Sequence, residues 1–243
     1  MPRFFIQAKP EAGMLSIEGE DACHIARVLR MKPGDSVTLC DSAGMDYGCV
    51  VEEASPELVR CRVLEETVSA GEPDTEVTLY MALPKADKFE FIVQKAVELG
   101  VSRVVPFLSA RCVSRPDEKS LRRKAGRWRK IAEEAAKQCG RGRVPEVADA
   151  VPFREAVAQA SQAKTALFFY ECERETPLRG AIGGRRLTTV SLMVGPEGGF
   201  ALEEAGQAQA GGLTSVSLGK RILRCETAPL AALAVVMYES GNL

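Results

Sequence analysis

The chain has one histidine and one tryptophan in 243 residues. The single imidazole, His24, falls on a predicted helix in the small N-terminal part of the chain, where it is not placed to serve as the base of a Ser–His–Asp or Cys–His arrangement. Eight cysteines stand at 23, 40, 49, 61, 112, 139, 172 and 225, and no two form a CxxC pair. Without such pairs and with one histidine, a Cys/His zinc site has no ligand set. The cysteines read instead as reduced thiols in a cytoplasmic protein, mostly small buried apolar groups. No apolar run approaches the ~18 residues that a membrane helix needs, and the N-terminal MPRFFIQAKPEAG has no apolar stretch of the secretory kind. The expectation is therefore a globular protein without metal or membrane, of one or two domains.

Charge is scarce in sum and uneven in place. The net formal charge is −1. Residues 111–143 hold twelve Lys/Arg against four Asp/Glu, a local +8 that leaves −9 for the rest of the chain. A basic segment on an acidic protein is an electrostatic footprint for a polyanion. Read without other information, a solvated helix face biased towards Lys and Arg is an equally good account. Trp128 lies in this segment, and a lone tryptophan at helical spacing reads as core before it reads as a stacking platform for a base.

The rhythm of the chain changes near residue 70. Before it, PRFFIQ, SVTLCD, YGCVVEEA and LVRCRVLEE read as strands separated by the turns MKPGD and DSAGMD. One helix, EDACHIARVLRM, fits among them with Asp21 as its N-cap. VSAGEPDTE (68–76) has no apolar periodicity and reads as a linker. After it, strands and helices alternate: EVTLYMAL, the helix of DKFEFIVQKAVELG, VSRVVPFL, a long helix over 117–139, FREAVAQASQ, TALFFYE, TTVSLMVG, LEEAGQAQA, TSVSLG and a last helix from about Thr227. Asp87 and Glu90 have the spacing of a capping box. The fold class is α/β: a small mostly β domain over 1–70, then a mostly parallel sheet covered on both faces over 71–243. Ligands of such sheets sit beyond the carboxyl ends of the strands.

Two of those ends carry unusual loops. MVGPEGGF (193–200) puts three glycines and a proline between an apolar strand and a helix. Glycine lets backbone approach a ligand closely. The pattern is neither GxGxxG nor GxxxxGK[ST], so neither phosphate-binding fingerprint applies, and a tight strand-to-helix turn accounts for it equally well. SLGKRILRCETAPLAAL (217–233) places Lys220, Arg221 and Arg224 between a strand and an apolar helix, with Thr227 as candidate N-cap and Pro229 in the first turn. A pairing of Arg224 with Glu226 that merely pins the loop is as good a local account as a functional one. Cys225 beside Arg224 has a reason for a depressed pKa, but no histidine stands by to make it a nucleophile.

Taken together, MVGPEGGF and SLGKRILRCETAPLAAL resemble the C-terminal signature of the RsmE family of bacterial uridine-N3 methyltransferases of small-subunit ribosomal RNA, in the SPOUT superfamily. The resemblance runs the length of the chain. HIARVLRMKPGD (24–35) is similar to the family's N-terminal motif, and KFEFIVQKAVELGV (88–101) and WRKIAEEAAKQCGRGRVPEV (128–147) to its central ones. It implies a PUA-like small RNA-associated barrel, a SPOUT domain with a trefoil knot, a homodimer, and S-adenosylmethionine as cofactor.

Carried over by position, three loops would hold the cofactor: Phe169, Tyr170 and Glu171; then Val194, Gly195, Pro196, Gly198 and Gly199; then Leu218, Gly219, Ile222, Leu223 and Arg224. Leu218, Ile222 and Leu223 would form an apolar wall for the adenine. Arg224 would stabilise the uracil anion, with Glu226 a candidate proton acceptor. Ribosomal RNA would meet Arg27 and Arg30 in the first domain, and Arg111, Arg115, Arg122, Arg123, Arg141 and Arg143 in the basic segment. The chain departs from the family pattern at Cys225, usually threonine, at Pro229, usually small, and at Ala201, usually serine. A ribose 2′-O methyltransferase of the same superfamily and a non-catalytic RNA-binding protein are the rival readings.

Overall fold

A computed structural model describes residues 1–243. The chain divides into two compact units, Met1–Glu72 with Ala136–Val144, and Pro73–Ala135 with Pro145–Leu243. The first unit takes in a segment, 136–144, that a linear boundary near 70 assigns to the second.

The first unit is one five-stranded sheet. Its strands are β1 (Arg3–Phe5), β2 (Met14–Glu18), β3 (Ser36–Cys40), β4 (Met45–Ala54) and β5 (Leu58–Val68), in the order β1-β3-β4-β5-β2. Only the β1–β3 pair is parallel. The long β4–β5 ribbon shifts register at Gly48/Cys49 and at Val51/Glu53. Each irregularity adds local twist and bend, which curls the sheet around a core of Phe4, Leu15, Ile25, Leu39, Val51 and Val59. A Cβ at Gly48, at the first shift, would lie 2.7 Å from the Glu65 Cγ and would push that exposed side chain aside. β2 has little signal in the sequence: MLSIE is short and has only Leu15 and Ile17 facing inward.

The expected helix over 20–31 is broken. α1 covers Gly19–Cys23 and is followed by a π-helical turn, His24–Val28, with Arg30 at φ +53. Asp21 is not the N-cap. Glu18 holds that position, and Asp21, in the first turn, accepts a hydrogen bond from the Lys137 ammonium at 3.2 Å. A largely buried ion pair also lies within the first unit. Arg3 forks onto Asp46 at 2.7 and 2.8 Å, and the Ser69 hydroxyl donates to the same carboxylate.

The second unit is a sheet of entirely parallel strands: β6 (Glu76–Ala82), β7 (Arg103–Leu108), β8 (Glu146–Val147), β9 (Val151–Pro152), β10 (Thr165–Phe169), β11 (Thr189–Val194) and β12 (Thr214–Val216). The order is β12-β10-β11-β6-β7-β8, with β9 also on β7. β6 and β11 are buried on both faces, as a covered parallel sheet requires. The helices are α2 (Lys88–Glu98), α3 (Glu118–Cys139), α4 (Phe153–Ala160), α5 (Leu178–Ile182), α6 (Leu202–Ala210) and α7 (Thr227–Glu239). Trp128 of α3 is core: it is buried, with its ring 4.3 Å from that of Phe89. None of the helices is long and apolar enough to cross a membrane.

Two expected caps do not form. Asp87 precedes α2 with no side-chain cap bond, and Glu90 instead pairs with Arg127 at 2.6 Å. At α7 the N-cap is Glu226, and Thr227 is the first helical residue. The free N–H groups of Thr227 and Ala228 donate to the Arg224 carbonyl, both at 2.9 Å, which closes the turn without a side chain.

Candidate active site

β10, β11 and β12 end side by side, and the loops that leave their carboxyl ends enclose one cleft of about 490 Å³. All thirteen residues expected at a cofactor line it, from Phe169–Glu171, Val194–Gly199 and Leu218–Arg224. Arg174, Arg221 and Cys225 line it as well.

The glycine loop is held from below and from the side. Beneath it lies Phe200, fully buried, with its ring 4.4 Å from Phe168 and stacked near Phe107. Gly195 has to be glycine here, since a Cβ would come within 2.9 Å of the Phe200 ring. From the side, the Glu171 carboxylate accepts the Phe200 N–H at 3.1 Å. Arg111 donates to the Gly198 carbonyl at 2.8 Å and lies 3.6 Å from the Glu171 carboxylate. The opposite wall is apolar and open: Ile222 is 72% exposed although it faces the cleft. An exposed isoleucine among Leu218 and Leu223, opposite a glycine-rich wall, suits a flat, partly apolar ligand.

The expected catalytic pair separates. Arg224 lines the cleft and is exposed. Glu226 does not line it. Its carboxylate lies 3.1 Å from the Lys88 ammonium and accepts the Cys225 thiol at 3.2 Å. Its own backbone N–H, the thiol and Lys88 together hold that carboxyl below the ordinary range, which makes it a weak proton acceptor. Cys225 moves the other way from the sequence expectation. Burial, then the Glu226 carboxylate, push the thiol up to about 12, so it stays protonated.

The basic residues do not act as one group. Arg27 and Arg30 are exposed on the first unit, and Arg122 and Arg123 are exposed on α3, with Arg122 in a solvent-exposed pair with Glu118, four residues before it. Arg111 is tied to the cleft as described, and Arg115 donates to the carbonyls of Ser109 and Ala110. Arg143 is exposed but donates to the Ala43 carbonyl. Arg141 is a correction: it is buried and forked onto Glu72, so it presents no charge to a polyanion.

Sequence reasoning missed Lys88 and Glu197. Lys88 pairs with Glu197 of the glycine loop at 3.1 Å as well as with Glu226. The available signal was a lysine at the first position of α2, where the helix dipole disfavours a cation.

A two-unit protein with a curled β unit and a loop-lined cleft over parallel strands defines a class, and comparison with known proteins gives it a name. Residues 71–237 match the family model of the RNA methyltransferase domain, and residues 17–64 that of the RNA methyltransferase PUA domain. The chain is 36% identical to ribosomal RNA small subunit methyltransferase E of Bacillus subtilis, over 100% of this chain and 98% of the relative. It is 33% identical to the protein of the same name from Mycobacterium bovis, over 96% and 90%. A crystal structure of the Neisseria gonorrhoeae enzyme of that name, bound to S-adenosyl methionine, superposes with a TM-score of 0.86 at 31% identity, over 98% of this chain and 97% of that one. The chain belongs to the ribosomal RNA small subunit methyltransferase E family.

Proposed function

We propose that this protein transfers a methyl group from S-adenosylmethionine to N3 of a uridine in small-subunit ribosomal RNA. The observation that carries the reading is the convergence of three loops on one cleft, with close-approach glycines on one wall and Leu218, Ile222 and Leu223 on the other. These residues fit the cofactor: backbone at Gly195–Gly199 for its polar edge and an apolar wall for its adenine, with the glycine loop itself packed on the buried Phe200. The cofactor supplies an electrophilic methyl group on a sulfonium. The protein's own work is alignment, and holding the acceptor base in line is worth several powers of ten in rate.

Uracil N3 must lose a proton to become the nucleophile. Arg224, at the cleft and exposed, is the residue that stabilises the resulting negative charge. Glu226, engaged by Lys88, is assigned no proton transfer, and the proton leaves to water. Arg122 and Arg123, with Arg27 and Arg30, are the side chains left to contact phosphates. The same family reading brings a cytoplasmic location, a knotted C-terminal segment and a homodimer. The dimer would use α7, where Val235 and Tyr238 remain exposed.

The test is a methylation assay. The purified protein is incubated with labelled S-adenosylmethionine and small ribosomal subunits lacking base modifications, and the RNA is digested to nucleosides. Label in 3-methyluridine is the expected result. Label in a 2′-O-methylated nucleoside would overturn the N3 assignment, and failure to bind the cofactor would favour a non-catalytic RNA-binding protein.

A further inference from the structure

Three segments far apart in sequence meet at one ammonium group. Lys88 Nζ lies 3.1 Å from Glu197 Oε1, 3.1 Å from Glu226 Oε2 and 3.7 Å from the Cys225 thiol. Lys88 opens α2, just beyond the carboxyl end of β6. Glu197 belongs to the glycine loop after β11, and Glu226 caps α7 after β12. Helix stability does not explain the lysine, since the first turn of a helix disfavours positive charge. Nor does it act as a generic surface pair: all three charged side chains are less than one third exposed.

Glu197 and Cys225 both line the cleft, on opposite loops. We infer that Lys88 is a positioning residue for methyl transfer, binding Glu197 and Glu226 together and so setting the distance between the glycine loop and the start of α7. The inference rests on the methyltransferase reading above. Glu197 has a second tie, since the same oxygen accepts the Lys85 N–H at 3.1 Å, so the clamp also fixes the loop that precedes α2. The charges agree with this geometry. Hydrogen bonds to Glu226 and then Glu197 make the ammonium hold its proton more tightly. Without Lys88, two carboxylates would face each other beside a neutral thiol, and their repulsion would part the walls. Arg224, directly before Cys225, would move with that wall, so both cofactor affinity and turnover depend on the clamp.

The test uses the full-length protein. Cofactor affinity is read by calorimetry with S-adenosylmethionine, and kcat and KM are read with small ribosomal subunits as substrate. Lys88→Met is expected to raise the cofactor Kd about tenfold and lower kcat, with KM for the RNA substrate unchanged. Lys88→Arg, which keeps the cation, is expected to recover most of both. Glu197→Gln is expected to weaken cofactor binding in the wild-type background but to improve it in Lys88→Met, because it removes the repulsion. Equal effects of Glu197→Gln in both backgrounds, or a Lys88→Met protein with wild-type Kd and kcat, would overturn the inference. Should Lys88→Met fail to fold, Lys88→Gln replaces it, with the same expectation and the same refutation. Wild-type protein that does not bind S-adenosylmethionine would overturn the methyltransferase reading itself, and the positioning role with it.

Discussion

Glu171 and Phe200 hold two loops of the cleft together: the carboxylate after β10 accepts the backbone N–H that closes the glycine loop after β11, at 3.1 Å. Gly199, next to that N–H, has φ +63, and a Cβ built on it would overlap the Glu171 carboxylate. The left-handed conformation alone costs a non-glycine residue about 1–2 kcal/mol. Gly199→Ala should therefore displace Glu171 and weaken cofactor binding far more than Gly198→Ala, whose Cβ meets only the side chain and carbonyl of Arg111 at 3.3 Å and beyond. Calorimetric titration of both variants with S-adenosylmethionine checks the ranking, and equal affinities would refute it.

Arg224→Ala should lower kcat by roughly 100- to 1000-fold, the usual cost of one group that stabilises developing charge, while the cofactor Kd stays near wild type. Single-turnover rates with saturating cofactor make the measurement. Full activity would remove Arg224 from the mechanism.

Reversing charge at Arg122 and Arg123, both exposed on α3, should weaken RNA binding and flatten its dependence on salt, since each lost phosphate contact removes released counterions. Binding measured across a salt series gives the slope. A slope identical to wild type would make this stretch of α3 a solvated face.

Ala201 occupies the N-cap of α6 with extended backbone, and its methyl group can accept no hydrogen bond. Half of a capping box is already present: the Glu204 carboxylate, buried, accepts the Ala201 N–H at 3.0 Å and the Ala110 N–H at 2.7 Å. Ala201→Ser should add the missing half, worth about 1 kcal/mol, and raise Tm by about 2–4 °C. A Tm that is unchanged or lower would refute it.

The Arg3–Asp46 pair predicts a pH dependence. Burial pushes the Asp46 carboxyl up, but hydrogen bonds from Arg3, Ser69 and Cys40 outweigh it and hold the carboxyl below its ordinary value. A depressed folded-state pKa gives stability that is present above the unfolded-state value and is lost as pH falls through the folded one. Asp46→Ala should thus cost on the order of 3 kcal/mol at neutral pH by leaving Arg3 unpaired, and the gap to wild type should narrow in acid. Denaturant melts at both pH values test this; a gap that stays constant with pH would refute it.

How legible all this was depends on length scale. Alternating strands and helices after residue 76 show in the sequence because α2, β6 and β11 carry long apolar patterns. The cleft loops show because glycines and arginines interrupt apolar runs. β8 and β9, two residues each, and α5, five residues, are too short to have a period. Caps at Asp21 and Asp87 were sound local chemistry overruled by partners distant in sequence: Lys137 engages Asp21, and Arg127 draws Glu90 away from the box with Asp87. The Lys88–Glu197–Glu226 cluster leaves a single local trace, a lysine where the helix dipole disfavours one, because its charges are brought together only by the strand order. Arg141 illustrates the reverse error: among twelve basic residues in one stretch, composition cannot tell which one is buried.

The segment 136–144 makes the first unit discontinuous, so the chain passes between units three times instead of once. No single cut can separate the two. A fragment ending at Glu72 would keep the whole β sheet yet lose Arg141, along with the Gly142 and Arg143 N–H groups that Glu72 accepts at 3.0 Å. Its carboxylate would then be left with no cation. A fragment beginning at Pro73 would carry nine residues shaped for an absent neighbour. The two units are thus interleaved in inheritance: neither can be exchanged as a contiguous cassette, and recombination at the obvious linker would yield two incomplete pieces.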